Sequence, residues 1–81
     1  MNVKSTPCKG TPHFTALSAG GSTTIPAGAF AWTVTFLTGT GTIGGLAVPA
    51  GFSDSDAAQL LAAITITTDT PGTAYVRYMT L

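Results

Sequence analysis

Ile25-Pro26-Ala27-Gly28-Ala29-Phe30-Ala31-Trp32-Thr33-Val34-Thr35-Phe36-Leu37-Thr38 joins a tight turn to a strand, and its reading decides the fold. Proline pre-sets the backbone for the second position of a type I turn, and glycine suits the fourth. From Phe30 onward, Phe30, Trp32, Val34 and Phe36 alternate with Ala31, Thr33, Thr35 and Leu37. A period of two is the mark of a strand, and this one carries a heavy apolar face. Phe30, Trp32, Val34 and Phe36 are therefore expected to form the core, with the threonine face wet or packed on another chain. The turn phrase recurs as Val48-Pro49-Ala50-Gly51 before Phe52. Two copies of one phrase in a short chain predict short strands folded back on each other.

Working outward, His13–Ser18 and Ser22–Ile25 read as the first two strands, parted by Ala19-Gly20-Gly21. Thr42-Ile43 and Leu46-Ala47-Val48 flank Gly44-Gly45, which suits a two-residue hairpin turn. Ile64–Thr68 is strand again, Asp69-Thr70-Pro71-Gly72 a turn, and Thr73–Thr80 a last strand that pairs back. Asp54-Ser55-Asp56 precedes the run Ala57–Ala63, a helix-start signal. That run supports at most one short helical turn, and a loop carrying Leu60 into the core competes with it. The fold class that follows is all-β: a small antiparallel β-sandwich or jelly-roll-like barrel. Residues 1–12, polar and holding Pro7, Gly10 and Pro12, read as an extended arm, and 13–81 as one domain.

The chain has 81 residues, of which only 7% are charged. A free soluble domain usually carries about 25%. A lone core of this size rarely supplies more than about 3–5 kcal/mol without disulfides, metals or oligomerisation. Cys8 is the single cysteine, so no disulfide forms within the chain. Association with copies of itself is the remedy left. Zero net charge excludes a basic field for nucleic acid. No apolar run approaches the roughly 20 residues of a membrane-spanning helix, and the N-terminal stretch lacks the roughly 7–15 apolar residues of a signal peptide core. The expectation is a chain made in the cytoplasm with no membrane partner. Lys4 and Lys9 lie near the start and Asp54, Asp56 and Asp69 in the second half, a polarity that can dock an arm on a neighbour.

Reactive constellations are sparse. Cys8 and His13 make two metal ligands where structural zinc usually takes four. Asp54 and Asp56, with Ser53 and Ser55, offer oxygens for calcium, but no carboxylate follows at the spacing of a calcium loop, and capping explains them. Gly39, Gly41, Gly44 and Gly45 precede a β run without a lysine, unlike a phosphate loop. The Thr-x-Thr repeats at 33–35, 40–42 and 65–67 are too irregular for a solenoid. Trp32, Tyr75 and Tyr78 are the aromatics a sugar platform would use, with Trp32 claimed by the core. No enzyme activity, cofactor or metal is expected.

The runs Thr24–Gly28, Gly41–Gly45, Leu46–Phe52 and Ile64–Tyr78 together resemble small β-sandwich modules in structural proteins of tailed bacteriophages. These include capsid decoration (cement) proteins and fibre domains, and the likeness covers residues 22–80. The resemblance implies a virion component, assembled in the host cytoplasm. It would be a homo-oligomer, a trimer in such modules, bound to the major capsid protein or another virion protein. Its function would be to stabilise the head by bridging subunits. A tail fibre or spike module that binds a cell-surface glycan is the alternative. The contact residues expected are Lys4, Pro7, Lys9 and Pro12 of the arm, and Asp54, Asp56 and Leu60 of the loop around 54–61.

Overall fold

The computed structural model describes residues 10–81. Lys4, Pro7, Cys8 and Lys9 lie outside the described residues. The chain is all-β, as expected, with eight strands and no helix among the described residues. They are β1 (Thr11–Leu17), β2 (Ser22–Ile25), β3 (Phe30–Thr38), β4 (Gly41–Ile43), β5 (Leu46–Val48), β6 (Ser53–Asp56), β7 (Ile64–Thr68) and β8 (Thr73–Thr80). Two antiparallel four-stranded sheets form, ordered β1-β8-β3-β6 and β2-β7-β4-β5; we call them the first and second sheet.

The order has a simple origin. β4 and β5 form a hairpin, and β3 with β6, β2 with β7 and β1 with β8 continue its pairing outward. The chain is one long hairpin rolled around its own core, closed at the middle by Gly44-Gly45. Positive φ at both glycines, 59° and 86°, is the type I′ geometry whose twist matches the flanking strands. Further pairing of β3 with β8 and β4 with β7 completes the sheets. This is the jelly-roll arrangement.

Rolling changes what several turns do. Both Pro-Ala-Gly turns pass the chain from the second sheet to the first, and neither joins paired neighbours. Their hydrogen bonds run from Ala29 N to Pro26 O and from Phe52 N to Pro49 O, each 3.2 Å. Proline thus holds the first turn position and glycine the third, where φ is 90° at Gly28 and 80° at Gly51. Positive φ at the third position is the type II signature, which replaces the type I reading. The Asp69–Gly72 turn likewise crosses between sheets, so β8 lies between β1 and β3 and does not pair with β7.

The core holds Leu17, Ile25, Trp32, Val34, Phe36, Ile66 and Val76, with Ala29 and Ala74 filling gaps. Phe30 corrects the expected stripe: it is half-buried and lies outside this cluster. Ala31 adopts φ 52°, and the β3–β8 register slips between Phe30 and Thr33. The bulge inserts one residue and flips the phase, so Phe30 falls opposite Met79 on the outer face. Residues 57–63 form a loop in place of a helical turn. Leu60 exchanges backbone bonds with Gly28 and Ala29, both 2.8 Å, and packs on the core. β1 starts at Thr11, so the last two residues assigned to the arm belong to the sheet. Pro12 is tolerated there because β1 is an edge strand.

Candidate interaction surface

The first sheet presents its outer face as three rows read directly from the register. Pro12, Met79 and Phe30 form one row. Phe14, Arg77, Thr33 and Ser55 form the next, and Ala16, Tyr75, Thr35 and Ser53 the third. The face grades from apolar at β1 to hydroxyl-bearing at β6. Phe14 is 65% exposed and Tyr75 45% exposed, and their rings lie 5.6 Å apart, tilted by 52°. Arg77 is the single charge on this face, and it makes no ion pair among the described residues.

The second sheet is different. Its outer face carries Ser22, Thr67, Thr42 and Ala47 in one row and Thr24 with Thr65 in another. Thr24 and Thr65 are hydroxyl-bonded at 3.3 Å, and Thr42 bonds Thr67. The Thr65-Ile66-Thr67 segment thus lies between Thr24 and Thr42, and each of its hydroxyls bonds a threonine on a neighbouring strand.

The residues singled out from sequence are not gathered in one place. Pro12 sits on β1 and Asp54 and Asp56 on β6, at opposite edges of the first sheet. Asp54 and Asp56 belong to a strand where a loop was expected, and both are exposed. Asp56 accepts the Ala58 N–H at 2.9 Å, which explains the helix-start pattern: the carboxylate caps a turn that no helix follows. Leu60 is turned inward and serves the core. Phe14 was not singled out from sequence. The signal lay in β1's alternation, which puts His13, Thr15 and Leu17 on one face and Phe14 on the other.

His13 stacks on Tyr78 with centroids 4.8 Å apart and planes 12° from parallel, and its Nε2 bonds the Thr80 hydroxyl at 2.8 Å. Asp69 accepts the Thr40 hydroxyl and fastens two crossing turns. Among the described residues no three of His, Cys, Asp and Glu converge as metal ligands. Among the described residues no helix is long and apolar enough to cross a membrane.

Two open depressions flank the bulge. One of about 220 Å³ is lined by Ala31, Trp32, Thr33, Ser55, Asp56 and Ala57. The other, about 260 Å³, is lined by Phe30, Ala57, Gln59 and Leu81. Each is shallow, and the first offers one carboxylate beside one serine with no base facing it. Trp32 is 6% exposed and its Nε1 has no hydrogen-bond partner, so it supports the core and offers no platform for a sugar.

Comparisons with protein families, curated proteins and solved structures find no match. The chemistry of the surface therefore carries the functional argument.

Proposed function

We propose that this chain is a structural module that coats a larger protein assembly, acting as a capsid decoration (cement) protein of a tailed bacteriophage. The observation that carries the reading is the outer face of the first sheet. It exposes Phe14 and Tyr75 beside a single cation, in a chain with three basic and three acidic residues. Such a face gains from being covered: apolar burial contributes roughly 25 cal/mol per Å². At that rate about 400 Å² of covered apolar surface amounts to roughly 10 kcal/mol, the order of a lone small domain's whole stability, before the cost of association is subtracted. The jelly-roll order supports the same reading, since viral capsid domains share it. Lectin domains share it too, and the exposed Phe14–Tyr75 pair is the observation that favours the second reading, a glycan-binding tail module. Self-association, with copies bridging shell subunits, completes the proposal.

The test is the copy number and position of the chain on purified virions, by quantitative mass spectrometry and antibody-gold labelling. Hundreds of copies spread over the head are expected. A few copies confined to the tail would favour the glycan reading, and absence from the particle would refute both.

A further inference from the structure

We propose that β1 pairs antiparallel with β1 of a second copy about a two-fold axis at Phe14, merging two first sheets into one eight-stranded sheet. This rests on the reading of the chain as a self-associating coat module. It replaces the three-fold arrangement that the resemblance implies.

The four sheet edges are not alike. β6 is four residues long and carries Asp54 and Asp56, and short charged edges resist pairing. β2 and β5, the edges of the second sheet, have four and three residues. β1 has seven residues, none of them Asp, Glu, Lys or Arg, and no partner on its outer side among the described residues. Its single guard is Pro12.

That proline also sets the phase. Lacking an N–H, proline in an edge strand takes a position whose N–H would face solvent. Phe14 and Ala16 share its phase, so their N–H and C=O groups point out of the sheet edge. A two-fold at Phe14 places it opposite its own copy, and Ala16 opposite Pro12. The two Phe14 residues exchange two hydrogen bonds, and each Ala16 N–H donates to a Pro12 carbonyl. The missing proline N–H leaves only the two Ala16 carbonyls unmatched, at the ends of the contact where water reaches them.

Side chains suit the same register. Both Phe14 rings fall side by side on the outer face, each against its Tyr75, so the exposed pair becomes a four-ring cluster. The two Arg77 residues lie three strand spacings apart, about 14 Å, beyond the screening length of about 8–10 Å. His13 faces Thr15 of the other copy, so no titratable side chain meets its own image. The contact is about 24 Å long and one sheet thick, on the order of 500 Å² in total. This is below the roughly 1,200 Å² of a stable complex. Pairing is therefore weak in dilute solution and strong where copies are concentrated on a surface.

The experiment follows the full chain from about 20 µM to about 1 mM by analytical ultracentrifugation and NMR amide exchange. A monomer–dimer equilibrium with Kd on the order of 100 µM is expected. The Phe14 and Ala16 amides should exchange about fourfold more slowly at the top of that range than at the bottom, in step with the fall in monomer fraction. Phe14→Lys, at an exposed site outside the core, should weaken pairing at least about 100-fold with an unchanged circular dichroism spectrum. Ala16→Pro, which removes one donor without adding charge, should also weaken it. A chain monomeric at about 1 mM, a closed trimer, or protection of these amides in the monomer would overturn the proposal. Copy number on virions reads the coat reading separately. Abundant head copies of a chain that stays monomeric would sink the edge pairing alone, whereas a pairing chain absent from particles would sink the coat reading alone.

Discussion

Replacing Ala31 by glycine is expected to stabilise the protein, a sign opposite to that of most strand glycines. Ala31 sits in β3 at φ 52°, in the left-handed region where a Cβ crowds the following carbonyl. That conformation costs an alanine roughly 1–2 kcal/mol. Glycine adopts it freely, but its looser unfolded chain returns roughly 0.5–1 kcal/mol to the unfolded state. Ala31 is exposed, so no core contact is lost, and its backbone bond from N to Ala57 O (3.4 Å) survives the substitution. The net gain is about 0.5–1 kcal/mol, a rise in Tm of roughly 2–8 °C for a domain of this size. Urea titration followed by Trp32 fluorescence measures the difference, and Ala47→Gly supplies the control. Ala47 is also an exposed strand alanine, without positive φ, and there glycine should cost about 0.5–1 kcal/mol. Equal destabilisation at both positions would refute the left-handed bulge. With it would go the account of why Phe30 leaves the core.

Two further substitutions probe the interior. Trp32→Ala should cost about 3–5 kcal/mol by denaturant titration and leave little folded protein. Trp32→Phe should cost far less, because it also removes an indole N–H that no acceptor meets. Thr68 donates to Ser18 O at 2.6 Å and accepts from Gly21 N at 3.0 Å, yet those two groups also bond each other at 2.8 Å. Thr68→Val therefore strands neither of them and should cost about 1 kcal/mol, against the roughly 1–3 kcal/mol of an orphaned buried group.

The sequence by itself determined most of the strands, β6 excepted, where Asp54-Ser55-Asp56 read as a helix start. Alternation from Phe30 to Leu37, glycine pairs and Pro-Ala-Gly phrases are local signals, and φ preference or side-chain phase is settled within a few residues. The Gly44-Gly45 hairpin, β2 and the extent of β3 were legible for that reason. The destination of each turn was not. Whether Gly28 returns the chain to a neighbouring strand or sends it across to the other sheet depends on which partner waits there, and that partner lies far along the chain. The candidate surface was legible only as a shortage of charge. Pro12 from the expected contact set lies on β1, while Asp54 and Asp56 lie at the far edge and Leu60 turns inward. Phe14 and Tyr75, 61 positions apart in sequence, became neighbours because the hairpin rolls β8 against β1. A one-residue bulge moved Phe30 from core to face, since a strand has only two sides and an added residue exchanges them. Tertiary structure decided these matters because pairing across sheets sums weak backbone and apolar terms over the whole chain.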